Sequence, residues 1–168
     1  MMNRYRSFLD VVIFLGTVAG VVALDRSTKI FFSSFLDHGE SLIVIPRVFH
    51  VTLVHNTGVA FGMFKDNGFV FLVVPVIALG LLMYNVYYYY KFGELDRSYI
   101  VAFSLILGGA IGNLIDRITL GHVIDFLDFR VWPVFNVADS AITLGAILIL
   151  IKCLPSAQKE LIRKHPHS

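Results

Sequence analysis

The sequence predicts an all-α integral membrane protein: four transmembrane helices with a small extracytoplasmic loop region that contains β-structure. Three observations predict it. The 168 residues are 57% hydrophobic, with a mean hydropathy of +0.75. Only 15% are charged, where a soluble domain carries roughly a quarter. Those charges are gathered into short intervals between apolar runs, several of them close to the roughly 20 residues needed to cross a hydrocarbon core. The length predicts a single domain over 1–168.

The first span covers about 8–24 and is preceded by Arg4 and Arg6. Its exit, Ala23-Leu24-Asp25-Arg26, lacks a small-x-small cleavage pattern, so the segment reads as a retained helix rather than a secretory signal. Asp10, near its inner end, reads as a snorkelling residue. A long loop follows over 30–68. Within it Phe49, Val51 and Leu53 alternate with His50 and Thr52, the period of a strand. Asn56-Thr57-Gly58 supplies a turn. A small sheet resting on the outer membrane surface is expected there. The second span covers about 69–90, and the Tyr87–Tyr90 run before Lys91 forms an aromatic belt at the inner interface. The third covers about 99–115, and its Gly108-x-x-x-Gly112 motif predicts a close helix–helix contact. The fourth covers about 135–151.

Orientation follows from Lys and Arg near the span ends. Arg4, Arg6, Lys91, Arg97, Lys152, Lys159, Arg163 and Lys164 fall on one side. Arg26, Lys29, Arg47, Lys65, Arg117 and Arg130 fall on the other, two of them in the long first loop. The short 91–98 loop and the basic tail place both termini in the cytoplasm.

Composition excludes several function classes. A net charge of +2, with no basic cluster carrying interleaved aromatics, argues against nucleic acid. Cys153 is the single cysteine, so there is no internal disulfide and no Cys-x-x-Cys site. His38, His50, His55, His122, His165 and His167 are scattered without zinc-ligand spacing, and no metal is expected. No Gly-x-Ser-x-Gly elbow is present. Ser27 and Lys29, at i and i+2, do not share a helix face.

The chemistry concentrates between Asn113 and Asp139. Two Asn-x-x-Asp pairs, Asn113/Asp116 and Asn136/Asp139, flank Asp125. Carboxylates near a bilayer interior are costly and usually face a site or a partner. The third span runs outward into the first pair and the fourth runs inward from the second, so both pairs lie near the outer surface. Residues at i and i+3 share a helix face, which sets each Asn beside its Asp. A turn at Gly121 is placed to fold the loop residue Asp125 back toward the fourth helix. Two carboxylates held close share one proton, an arrangement suited to peptide hydrolysis by activated water. The spacing leaves open which two of the three aspartates meet.

Each acid also has a plainer reading. Asp116-Arg117 reads as a helix-end ion pair, and Asp139 as compensation of the helix dipole. Asp125 reads as a solvated turn residue, and Asp128 more so. At the level of function, the alternatives are a small transporter or proton channel relaying ions through carboxylates, and a non-catalytic membrane scaffold.

Five segments together carry a resemblance: Asp25-Arg-Ser-Thr-Lys29, Asn56-Thr-Gly-Val-Ala-Phe-Gly62, Gly108-Gly-Ala-Ile-Gly-Asn-Leu-Ile-Asp-Arg117, Gly121-His-Val-Ile-Asp-Phe126 and Phe135-Asn-Val-Ala-Asp-Ser140. In this order and spacing the chain resembles bacterial lipoprotein signal peptidase, signal peptidase II, over nearly its whole length. The resemblance implies an aspartic endopeptidase of the bacterial inner membrane, multi-pass, without metal or cofactor, with its active site near the extracytoplasmic face. It maps the catalytic dyad onto Asp125 and Asp139. Asn113, Asp116, Arg117 and Asn136 fall to supporting roles around it. Asp25 is assigned to organising the outer end of the first helix, and Asn56 to the substrate-facing loop. The implied substrates are diacylglyceryl-modified prolipoproteins, cut before the modified cysteine. Membrane lipids are the other expected partners, and the chain is expected to act as a monomer. Val59 is one departure, at a position where the family more often has a smaller residue.

Overall fold

The computed structural model describes residues 2–57 and 96–164, with Ile77, Gly80, Leu81, Tyr84, Tyr87, Tyr88 and Lys91 between them, and side chains within Phe8–Lys152. Three long helices and three strands make up the described chain. Helix α1 covers Met2–Ser33. Strands β1 (Ser41–Ile45) and β2 (Phe49–Asn56) follow. Helix α2 covers Arg97–Leu120, β3 covers Val123–Asp128, and α3 covers Val137–Lys164. The expected second span lies outside the described residues, apart from six positions, Ile77, Gly80, Leu81, Tyr84, Tyr87 and Tyr88, which are helical. Residues 58–62, with Val59, also lie outside them.

Among the described residues, Phe8–Ser33 and Arg97–Leu120 are long and apolar enough to cross a membrane. Helix α1 continues well beyond Leu24, where the sequence places its end. The charges at Asp25, Arg26 and Lys29 mark no exit to water, because each is paired inside the protein. Asp96 caps α2, its carboxylate accepting from Ser98 N at 2.8 Å and Tyr99 N at 3.1 Å. Gly121 stops the same helix in a left-handed conformation, φ 77°, with its N–H donating to Arg117 O.

Helices α1 and α2 run parallel, and α3 returns antiparallel along α2, which lies between the other two. Ion pairs link the helices at one end. Arg97 Nε meets Asp10 Oδ1 at 3.2 Å, and Lys152 Nζ meets Asp96 Oδ2 at 2.9 Å. Asp10 is thus partnered by an arginine on α2. The Gly108 region does form a close contact. A methyl group on Gly108 would lie 2.8 Å from Val21 Cβ on α1, and one on Gly145 of α3 would lie 2.6 Å from Ala102 O on α2. Bare backbone lets the three helices approach side by side.

At the other end lies an antiparallel sheet in the order β1-β2-β3. The alternation over 49–53 is realised in β2, with Val51 and Leu53 buried. They pack with Leu36, Ile124 and Phe126, and the Phe32 ring of α1 sits 4.6 Å from that of Phe126. This core plugs the sheet onto the outgoing end of α1. The sheet also corrects one expectation. Asp125 stands on a strand, not in a solvated turn, because Val123–Asp128 pairs along the whole far edge of β2.

Candidate active site

The chain between α2 and α3 is a closed excursion. Gly121 turns it out of the helix, β3 runs along β2, and the segment then returns to bridge its own strand. Phe135 N donates to Leu127 O at 3.1 Å, and Leu127 N donates back to Phe135 O at 2.7 Å. This closure sets Asn136 beside Asp125 and starts α3 at the same place.

Asn136 is wholly buried and serves both candidate catalytic acids. Its side-chain Nδ2 donates to Asp125 Oδ1 at 2.8 Å, and its backbone N donates to Asp139 Oδ2 at 3.2 Å. Asp139 N donates in return to Asn136 Oδ1 at 2.9 Å, a reciprocal cap on the first turn of α3. Asn113 supplies the other Asp139 contact, Nδ2 to Oδ1 at 2.8 Å. Asn56, the last residue of β2, donates through Nδ2 to Asp125 Oδ2 at 2.9 Å. Both oxygens of each carboxylate therefore have a donor. Asp125 is 1% exposed, and Asp139 is half-buried.

Burial pushes the Asp125 carboxyl up to about 6; the Asn56 hydrogen bond opposes this and the negative charge of Asp139 adds to it. A carboxyl in this range exchanges a proton near neutral pH, as a general acid or base must. Coupled to Asp139, it forms a pair able to hold one proton between them.

Behind this pair lies a second cluster. Lys29 is fully buried and places Nζ 2.8 Å from Asp25 Oδ2, 2.7 Å from Asp116 Oδ2 and 3.1 Å from Asn113 Oδ1. Arg26 also pairs with Asp116. Asp25 Oδ1 accepts from Ala138 N at 3.0 Å, tying α1 to the start of α3. Asp116 Oδ2 accepts from Ile124 N at 3.2 Å, tying α2 to β3. The expected Asp116–Arg117 ion pair does not form. Asp116 faces inward to α1, whereas Arg117 Nη1 donates to Asn113 O one turn back, at 3.4 Å. Arg117 thus adjoins the cluster only through backbone. Asp128 departs from expectation too: it is buried, accepting from Thr52 Oγ1 at 2.7 Å and from Arg130 N and Nη1 at 2.9 Å.

Lys29 and Arg26 are the members that sequence reasoning passed over. The available signal was the Asp25/Lys29 spacing of i, i+4, which puts an acid and a base on one helix face. Nearby, His38, His55 and His122 stack ring on ring, at 4.5 and 4.2 Å between centroids. Burial lowers the His55 pKa, and the two neighbouring imidazoles lower it further. Among the described residues no group of three or more His, Cys, Asp or Glu is placed to hold a metal ion.

The chain is similar to known proteins over most of its length. The family described as Signal peptidase (SPase) II matches residues 17–155. The lipoprotein signal peptidase of Halothermothrix orenii is 44% identical over 131 residues, covering 78% of this chain and 88% of that protein. The lipoprotein signal peptidase of Staphylococcus carnosus is 36% identical over 156 residues, covering 90% of this chain and 95% of its own. A bacterial membrane enzyme solved by the in meso method at 2.3 Å resolution superposes with a TM-score of 0.76 at 34% identity, over 87% of this chain and 90% of that one.

Proposed function

The chain belongs to the signal peptidase II family, whose members remove signal peptides from prolipoproteins, and from that premise we propose that Asp125 and Asp139 are its catalytic dyad. The observation that carries the assignment is Asn136, which donates to both carboxylates at once. Two acids held by one residue, one of them buried with its pKa raised to about 6, match the requirements of a proton-sharing pair.

In the proposed reaction one carboxylate takes a proton from water as it attacks the scissile carbonyl carbon. The protonated partner hydrogen-bonds to the carbonyl oxygen and neutralises the developing oxyanion. Proton transfer to the leaving amide nitrogen then completes peptide cleavage. Asn113, Asn136 and Asn56 hold the carboxylates in place, Asp25 joins α1 to α3 and Asp116 joins α2 to β3 behind them, and Arg117 flanks the cluster.

The scissile bond is the one before a diacylglyceryl-modified cysteine. Two acyl chains hold that cysteine in the outer leaflet, so the bilayer supplies much of the orientation that catalysis needs. A site at one end of the helices suits such a substrate. The described acids of the helices lie at the two ends, Asp10 and Asp96 at one and Asp25, Asp116 and Asp139 at the other, which gives an ion relay through the bilayer no support. The reading includes four spans, residence as a monomer in the bacterial inner membrane with its lipids, both termini cytoplasmic, and no role for cofactors or nucleic acid.

The test is cleavage of a diacylglyceryl-modified prolipoprotein by purified, reconstituted protein. Asp125→Asn and Asp139→Asn are each expected to lower kcat by about 10²–10⁴-fold or more while remaining folded in detergent. Folded variants that cleave like wild type would refute the dyad.

A further inference from the structure

Lys29 stands apart from the groups that would touch a substrate. It is a fully buried ammonium with three N–H bonds and three oxygens around it: Asp25 Oδ2, Asp116 Oδ2 and Asn113 Oδ1. The first two contacts neutralise buried acids, a sufficient structural reason for a lysine. The third does not. An ammonium has donors only, so the atom of the Asn113 amide that faces it must be the oxygen.

That constraint propagates. With Oδ1 turned to Lys29, Asn113 Nδ2 points the other way, where it donates to Asp139 Oδ1 at 2.8 Å. The same Oδ1 also accepts from Asn136 Nδ2 at 3.0 Å, and Asn136 Nδ2 reaches Asp125 Oδ1 at 2.8 Å. A flipped Asn113 would set its NH₂ against the ammonium and against Asn136, and present an oxygen to the Asp139 carboxylate. All three contacts would become repulsive together. We propose that Lys29 is a positioning residue of the catalytic dyad: by fixing the Asn113 amide, it makes Asn113 donate to Asp139 and aligns Asn136 on Asp125. This inference rests on the dyad assignment above.

Four of the packed elements bring charged groups to the dyad, while β2 brings the neutral amide of Asn56. Helix α1 contributes Asp25, Arg26 and Lys29; α2 contributes Asp116 and, half-buried, Arg117; β3 contributes Asp125 and α3 contributes Asp139. Arg26 is committed to Asp116, so Lys29 is the cation joined to the dyad through a single amide. Its charge also favours ionised Asp125. Loss of Lys29 therefore weakens the alignment of the pair and moves the alkaline limb of the rate profile, where the shared proton is lost, to higher pH.

Lys29→Met alone would leave Asp25 and Asp116 buried with only Arg26, so the test is made in an Asp25→Asn background. There the new amide can turn its oxygen to Lys29 or to Ala138 N but not to both, so the Asp25→Asn protein is itself the reference, and Arg26 still neutralises Asp116. Against Asp25→Asn alone, the added Lys29→Met is expected to lower kcat about tenfold or more with KM changed less than threefold. The alkaline limb of the pH profile is expected to rise by about one unit, the size typical of removing a nearby opposite charge. Lys29→Gln in the same background restores a neutral donor to Asn113 Oδ1. It is expected to recover most of kcat while keeping the raised limb. If Lys29→Met leaves kcat and the limb at the values of the Asp25→Asn protein, the proposal falls. Equal losses in Lys29→Met and Lys29→Gln would also overturn it, because charge alone would then account for the effect. Should Lys29→Met not accumulate as folded protein, Lys29→Gln decides, and an unshifted limb refutes the proposal. Failure of the dyad itself is separately visible, as cleavage by Asp125→Asn or Asp139→Asn.

Discussion

Asn56 Nδ2 donates to Asp125 Oδ2 at 2.9 Å, joining the last residue of one strand to the buried acid of its neighbour. The bond favours the ionised carboxylate and opposes the burial that raises its pKa. Asn56→Ala therefore raises the Asp125 pKa further above 6. The alkaline limb of kcat/KM, where the pair loses its shared proton, is expected to move to higher pH. Rate profiles from pH 5 to 9 check this, and an unmoved limb would contradict it.

Asp125 also makes stability depend on pH. Its carboxyl is raised to about 6 in the folded protein from an ordinary value of 3.8. Below pH 3.8 both folded and unfolded chains hold the proton, and Asp125 contributes no slope. Between about 4 and 6 the unfolded chain releases it first, so folding loses stability as pH rises. Above 6 both are ionised and the loss is complete, about 3 kcal/mol from a shift of this size. Asp125→Asn removes that slope. Thermal unfolding in detergent from pH 4 to 8 should show the variant gaining relative to wild type with rising pH.

Gly112 packs against the Asp25 carboxylate, and a methyl group there would lie 2.6 Å from Oδ2. Asp25 cannot retreat, because it is held by Lys29 and by Ala138 N. Gly112→Ala is expected to cost about 1–3 kcal/mol by overpacking and to lower cleavage more than the stability loss explains. Melting temperature and kcat measured on the same preparation test both parts.

The ion pair at the opposite end should matter far less. Arg97 is 53% exposed, and its contact with Asp10 is 3.2 Å. Arg97→Gln is expected to change stability by less than about 1 kcal/mol and to leave kcat unchanged. A large loss of activity would mean that this end of the helices communicates with the site.

What the sequence made legible follows from local periodicity. The apolar runs place α1, α2 and α3, the i, i+3 spacing sets Asn113 with Asp116 and Asn136 with Asp139, and alternation over 49–53 marks β2. What it hid is long-range. Val123–Asp128 is buried on both sides, so it lacks the alternation that reveals a strand, and Asp125 reads as a loop residue. The charges of Asp25, Arg26 and Lys29 imitate a membrane exit because their distant partners are far along the chain: Asp116, some 90 residues on, for the two bases, and Ala138 N, 113 residues on, for Asp25. Asp116 beside Arg117 reads as a pair, although adjacent helical residues point about 100° apart, and the inward face carries only the acid.

The shared role of Asn136 has a consequence for inhibition and escape. A compound seated across the two aspartates would rest on Asn113 and Asn136, whose amide groups are already committed to the dyad or to each other. A substitution there that weakens the compound also disarms the enzyme, so resistant lineages should carry changes elsewhere, at exposed residues around the rim. Sequencing mutants selected under such a compound would reveal that pattern. Viable changes at Asn113 or Asn136 would show that the cluster tolerates more than its bonding suggests.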